Sequence, residues 1–335
     1  MRRSRSRHPL FRLSDHLVIL PTVTTLSPAS DADATPWPAR TVEVATGSEV
    51  VVRHDALRDR DLPPAMMIHG LGGSSLNWTE LAAELRSDLS VEMIDLPGFG
   101  HSPPPRNRDY SISAHCRAVE GAILSLRKGP VHLFGNSMGG SVATRLAARR
   151  PDLVRTLTLI SPALPDLRVR PSVLPTAALG VPGVGRALLR LSRNMTPEDR
   201  TRMSIAMMYG SPDAVGEKAF ADAAAEYRRR LELPYMMDAF SHSTRSVIGA
   251  YLERGERALW RQAADVRAST LLVYGRRDKL VDARMAKRAT ETFPDARLLV
   301  VPDSGHVAML EHPRVVARGF RELLDGALSP SNVVG

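Results

Sequence analysis

Lysine is scarce in this chain. Of its 45 basic residues only Lys128, Lys218, Lys279 and Lys287 are lysine, and the remaining 41 are arginine. That bias, with the abundance of alanine, reads as the coding habit of a high-GC bacterial genome and not as a binding code. Cysteine is almost absent: Cys116 stands alone among 335 residues. One cysteine excludes an intramolecular disulfide and a cysteine-based zinc or iron–sulfur cluster. It fits a chain that need not fold in an oxidising compartment. Aromatic residues make up only 5%. No apolar run approaches the roughly 20 residues of a membrane span, so stable membrane insertion is excluded.

The formal charge of +9 at pH 7 is partly local. Arg2, Arg3, Arg5, Arg7 and Arg12, set against Asp15, account for nearly half of it. Nucleic-acid recognition needs a basic stripe and an element that reads bases; neither is visible, so no nucleic-acid partner is expected. Residues 1–38, rich in Ser, Thr, Pro and Asp, read as a disordered basic leader. Its apolar run, Leu17–Leu20, closes at Pro21 and is too short for a signal-peptide core. The expectation is a cytoplasmic protein whose basic N-terminus supports at most weak peripheral contact with an anionic membrane.

After Pro38 the texture changes. Thr41–Ala45, Val50–Arg53, Ala65–Ile68, Val91–Ile94, Val131–Phe134 and Leu157–Ile160 read as strands. Helical patterns at Trp78–Leu85, Ser111–Leu126 and Gly139–Arg149 separate the later ones. Continuous apolar strands alternating with helices indicate α/β architecture: a parallel sheet covered on both faces. The alternation stops at Pro162. It resumes with strand Thr270–Tyr274, helix Ala283–Phe293, strand Leu298–Val301 and helix Pro313–Leu328. The prediction is a mostly parallel eight-stranded core over residues 39–162 and 261–335, with a helical cap of residues 163–260 inserted between the sixth and seventh strands.

The string with most chemical content is Gly135-Asn136-Ser137-Met138-Gly139, placed after an apolar strand and before an Ala-rich helix. Gly-x-Ser-x-Gly needs that context, because the serine sits on a sharp strand-to-helix turn that only small flanking residues allow. Its hydroxyl then stands at a helix N-terminus, whose dipole favours developing negative charge. A serine nucleophile needs a base, and the base an orienting group. His306 follows the strand Leu298–Val301, and Asp278 follows the strand ending at Tyr274. Ser137, Asp278 and His306 are therefore the candidate catalytic residues, in that chain order. The Gly-rich loop after Ala65–Ile68, His69-Gly70-Leu71-Gly72-Gly73, can turn a backbone N–H inward. The N–H groups of Leu71 and Met138 are the candidate oxyanion donors. His69 reads as a brace for that loop. Asp95-Leu96-Pro97-Gly98-Phe99-Gly100-His101-Ser102 reads as a tight loop beside the site.

These strings resemble the α/β-hydrolase superfamily over roughly residues 41–328, with Glu311-His312-Pro313 after Gly305-His306 and Leu76-Asn77-Trp78 adding to the likeness. The branch they are most similar to holds carboxylesterases, monoacylglycerol lipase-like enzymes and meta-cleavage C–C hydrolases. The resemblance implies Ser137 as nucleophile, His306 as base oriented by Asp278, and Leu71 and Met138 as oxyanion donors. Val307 follows His306 where C–C hydrolases usually carry Trp, and the loop reads Gly72-Gly73-Ser74 where they usually carry Pro. Both departures count against dienone substrates. Serine at position 137 argues strongly against the epoxide hydrolases and haloalkane dehalogenases, which use an Asp nucleophile.

In the insertion, 14 basic residues face 11 acidic ones, so nothing selects a strongly anionic substrate. Six of the 13 methionines lie there. They either line a pliable apolar pocket or form plain helix core. Gly70, Met207, Met208, Met236 and Val307 are the candidate substrate-lining residues. The expected function is hydrolysis of a lipophilic acyl or aromatic ester, a small-molecule substrate, with no metal and no cofactor. The alternatives are C–C bond hydrolysis by the same residues and a non-catalytic ligand receptor or scaffold on the same fold.

Overall fold

The structure is a computed structural model that describes residues 17–18, 37–44, 48–56, 61–127, 129–166, 168, 170–181, 183–184, 187 and 194–328. Its strands are β1 (Leu17–Val18), β2 (Ala39–Val44), β3 (Ser48–His54), β4 (Pro64–Ile68), β5 (Ser90–Asp95), β6 (Val131–Asn136), β7 (Val154–Ile160), β8 (Ser269–Gly275) and β9 (Ala296–Val301). They form one sheet in the order β1-β9-β8-β7-β6-β4-β5-β3-β2. From β9 to β5 neighbouring strands run parallel, while β3 pairs antiparallel with β5 and with β2. The eight expected strands are present, in a mostly parallel sheet.

A ninth strand adds to them: Leu17 and Val18, within the stretch read as a mostly disordered leader, pair in parallel with Leu298 and Leu299 at the sheet edge. Two residues carry no periodicity, so no pattern could announce them. The rest of residues 1–36 lies outside the described residues, as do Pro182, Gly185, Arg186 and residues 188–193.

The helices are α1 (Thr79–Leu85), α2 (Ile112–Leu126), α3 (Met138–Arg149), α4 (Leu174–Leu179), α5 (Pro197–Met208), α6 (Glu217–Leu231), α7 (Met236–Leu252), α8 (Leu259–Asp265), α9 (Met285–Thr292), α10 (Ala308–Glu311) and α11 (Pro313–Leu328). Strands β4, β5 and β6 are buried at every position. Their side chains alternate between two cores. Met66, Ile68 and Leu133 join the core that holds α2 and α3, and Met67 and Phe134 join the one that holds α1 and α11. In α11, Val316, Phe320 and Leu323 recur at helical spacing and are buried against that second core. Between β7 and β8 the described residues form helices α4 to α8 and no strand.

The topology decides where chemistry can be placed. Strands β4, β6, β8 and β9 are parallel, so the loops that leave their C-terminal ends all open on one edge of the sheet. Ligands bind at that edge in open α/β sheets.

Candidate active site

Ser137 lies in the turn between β6 and α3, with φ 52° and ψ −118°. A non-glycine residue there costs roughly 1–3 kcal/mol and persists only when its surroundings over-determine it. They do. The Ser137 N–H donates to the Ile160 carbonyl at 3.1 Å, and its own carbonyl accepts from Gly140 and Ala163 at 2.9 Å each. The flanking glycines are required by packing. A Cβ on Gly139 would collide with the carbonyl oxygens of Ile68 and His69, and one on Gly135 with the carbonyl of Gly139. The helix can thus start directly against β4, which leaves the serine side chain at the helix N-terminus.

His306 Nδ1 and Asp278 Oδ2 are joined at 2.9 Å, and both residues are buried. The other carboxylate oxygen of Asp278 accepts from the Leu280 N–H at 2.7 Å and the Val281 N–H at 3.0 Å. Burial alone would raise the Asp278 carboxyl. The facing His306 and the two backbone donors outweigh it and hold the group below the usual carboxylate range. With Asp278 ionised and acceptor-only, the imidazole carries its proton on Nδ1 and leaves Nε2 free to act as a base.

The loop after β4 is built around His69. A 2.7 Å bond joins its Nδ1 to the Gly70 carbonyl, and its Nε2 accepts from the Leu96 N–H at 3.0 Å. Burial pulls its pKa below the ordinary value, against the raising effect of Asp95, and so favours the neutral ring. Asp95 accepts from the N–H groups of Ser75 at 2.6 Å and His101 at 2.9 Å, and a Cβ on Gly100 would strike its carboxylate. These bonds fix the two loops beside Ser137. The N–H groups of Leu71 and Met138 have no hydrogen-bond partner among the described residues.

Above this edge opens a cavity of about 2890 Å³. Its wall includes Ser137, His306, Leu71 and Met138, and also Gly70, Met207, Met208, Met236 and Val307. The structure therefore brings every sequence-derived candidate to one cavity except Asp278, which stands behind His306. The three methionines are half-buried, on the face that looks into it. Arg230 of α6 donates to the Gly72 carbonyl, and Phe240 of α7 packs against Gly72, whose φ is 69°.

Two supporting side chains escaped the sequence reading. Asn136 Nδ2 donates to the carbonyls of Ile160 and His306, at 3.0 Å each. Glu311 accepts from the Gly305 N–H at 2.7 Å and the Gly210 N–H at 2.8 Å. Asn136 stood inside the elbow motif and Glu311 close behind His306, but nothing in the order of residues showed what either would meet. Among the described residues no cluster of His, Cys, Asp and Glu suited to a metal was found, and no helix is long and apolar enough to cross a membrane.

The profile of the family described as alpha/beta hydrolase fold matches residues 63–313. The chain belongs to this family. Among curated relatives of this α/β-hydrolase, Lipase 3 of Moraxella sp. (strain TA144) is 27% identical over 272 residues, covering 78% of each chain. The pimeloyl-[acyl-carrier protein] methyl ester esterase of Chromobacterium violaceum is also 27% identical, over 78% of this chain and 94% of that one. Among solved structures, the meta-cleavage product hydrolase of Pseudomonas fluorescens IP01 superposes with a TM-score of 0.67 at 20% identity, covering 84% of this chain and 97% of that one. The first two are named as a lipase and a methyl ester esterase and the third as a hydrolase of a meta-cleavage product; at this identity the structural likeness speaks for the fold alone. The coarse assignment common to all three is a hydrolase.

Proposed function

We propose that this α/β-hydrolase cleaves a carboxylic ester, lipophilic in its acyl or aromatic part, through Ser137, His306 and Asp278. The observation that carries the reading is the joint placement of a strained serine and a carboxylate-bound imidazole on one cavity wall. Ser137 Oγ attacks the ester carbonyl while His306 Nε2 takes its proton; Asp278 holds the ring and stabilises its charge. The unpaired N–H groups of Leu71 and Met138 receive the developing oxyanion. His306 returns the proton to the departing alcohol, and then activates the water that releases the acyl group from Ser137. The segment of residues 163–260 serves as a cap over the site. Its half-buried methionines supply an adaptable apolar wall, and this favours a lipophilic acyl chain over a charged one. The names of the lipase and the methyl ester esterase support an ester.

Cleavage of a C–C bond would use the same residues, and the likeness to a meta-cleavage product hydrolase keeps it as the second reading. One experiment addresses both. Ser137→Ala should lose covalent labelling by a fluorophosphonate probe and reduce turnover of a short p-nitrophenyl ester by about 10⁴-fold or more. Stoichiometric labelling of that variant would overturn the role of Ser137. Wild-type turnover of a ring-fission product, with the ester untouched, would replace the first reading by the second.

A further inference from the structure

His306 is reached through a loop that owes little to its own strand. Between the end of β9 and the start of α10 the chain is held chiefly from outside. The His306 N–H donates to the Met208 carbonyl at 2.6 Å, at the last residue of α5. Gly305 and Gly210 lie backbone against backbone: a Cβ on Gly305 would strike the Met208 carbonyl and the Gly210 nitrogen, and one on Gly210 the Asp303 carbonyl. Into this seam reaches the half-buried carboxylate of Glu311, from α10. Its Oε1 accepts from the Gly305 N–H at 2.7 Å and the Ser304 hydroxyl at 3.2 Å. Its Oε2 accepts from the Gly210 N–H at 2.8 Å. One oxygen thus serves the loop that carries His306, and the other serves the helical segment over the cavity.

We propose that Glu311 is a positioning residue that joins the His306 loop to the Met208–Gly210 segment, so that the placement of the helical segment fixes the placement of the catalytic imidazole. The chemistry suits a carboxylate in particular. All three partners are donors, and an ionised carboxylate is acceptor-only with lone pairs enough for all of them. Charge-assisted bonds of this kind are short and roughly twice as strong as neutral ones. A glutamine offers one carbonyl oxygen and one NH₂, so whichever way it turns, an NH₂ meets an N–H and one side of the bridge opens. Volume is nearly conserved. A second tie, Arg277 to the Ser211 hydroxyl at 3.1 Å and to Asp303 at 2.9 Å, remains in place and keeps the seam from falling apart. What changes is the placement of the His306 ring relative to Ser137 across their shared cavity, and a misplacement of about 1 Å can cost about 100-fold in rate.

The inference rests on the serine hydrolase reading, and its test separates the two. Glu311→Gln, Ser304→Ala and Ser137→Ala are compared with the parent on a short p-nitrophenyl ester, for kcat and KM separately, and for the second-order rate of fluorophosphonate labelling. Folding is followed by thermal melting. Glu311→Gln should lose about 10- to 100-fold in kcat, with a similar loss in labelling rate and KM within about twofold. Labelling uses the same base but none of the cap contacts made by the ester. A merely structural role for Glu311 in shaping the cap would therefore raise KM and spare the labelling rate. A folded Glu311→Gln variant with parent kcat and labelling, or with a loss confined to KM, overturns the proposal. If that variant does not fold, Ser304→Ala decides: a loss of about two- to fivefold in both kcat and labelling, following from one of three bonds, supports the bridge, and parent rates overturn it. If Ser137→Ala turns over the ester at the parent rate, the serine hydrolase reading itself falls. If it is inactive while Glu311→Gln is unaffected, only the role of Glu311 falls.

Discussion

His132 and His115 lie outside the wall of the candidate site, yet each makes the folded state sensitive to acid. His132 sits in β6, 3% exposed, with Nδ1 2.8 Å from the Thr156 hydroxyl and its ring edge-on to Phe320. Burial, helped by Arg155, lowers its pKa from 6.5 to about 4. Burial, helped by His69, lowers that of His115 to about 3. Both are neutral in the folded protein at pH 5, while the unfolded chain takes up a proton at each below about 6.5. The sign follows from the proton count. Stability is complete above about pH 6.5 and is lost as pH falls toward the folded values, about 4 for His132 and about 3 for His115. For His132 alone the loss by pH 4 is on the order of 2–3 kcal/mol. The depressed carboxyls of Asp278 and Asp95 act in the same direction but only below the carboxylate range. Urea unfolding at pH 7.5 and pH 4.5 should therefore show a marked fall for the parent and a shallower one for His132→Asn, whose amide can replace the bond to Thr156. Parallel pH profiles for the two proteins would contradict this.

The helices differ in what holds them, and the difference follows their task. In α3, behind Ser137, ten of twelve residues are buried, whereas in α6 only Ala224 is. Besides the bonds of Arg229 and Arg230 to the loops, α6 carries exposed pairs such as Lys218–Asp222 and Arg228–Glu198, each worth at most about 1 kcal/mol. Helix α3 is tied sideways through Arg145, which is 2% exposed. Its guanidinium donates to Gln262 at 3.1 Å, to the Ser113 hydroxyl at 2.8 Å and to the Arg257 carbonyl at 3.0 Å, and it pairs with Glu253. One side chain so links α3 with α2, α8 and the end of α7. Arg145→Met keeps much of the apolar stem and removes every donor. The buried Gln262 and the half-buried Ser113 and Glu253 then lose their partner, and the expected cost is about 1–3 kcal/mol in urea unfolding at neutral pH. A loss below about 1 kcal/mol would mean that the network contributes little beyond packing.

At the scale of the whole molecule, the helical segment and the reactive loops form a single connected unit. Lys279, next to Asp278, donates to the Ala206 carbonyl at 2.6 Å, and Arg170 donates to the carbonyl of Asp278. Arg229 reaches the Gly100 carbonyl at 2.8 Å, Arg230 the Gly72 carbonyl, and His306 the carbonyl of Met208. This connectivity is what the sequence could not show. The sheet was legible because each buried strand is a continuous apolar run, and Ser137, Asp278 and His306 were legible because each sits in a local string just after such a run. Asn136 and His306 are 170 positions apart, and Gly210 and Glu311 are 101 apart; their meeting depends on the closed topology and leaves no mark on either string. The same connectivity has a dynamic consequence. The weakly buried α6 should exchange its amide hydrogens sooner than α3, since local opening is cheapest where little apolar surface is packed. A fluorophosphonate bonded to Ser137 would occupy part of the cavity between the strand-end loops and α6 and α7, and should restrain both sides of it. Hydrogen exchange followed by mass spectrometry should then show slower exchange not only near Ser137 and His306 but across peptides of α6 and α7, by about twofold or more in rate, as expected when a ligand restrains an already connected element. The Ser137→Ala protein exposed to the same reagent should show no change. Protection confined to the loops at the strand ends would mean that the contacts of Arg229 and Arg230 do not transmit the occupancy of the site.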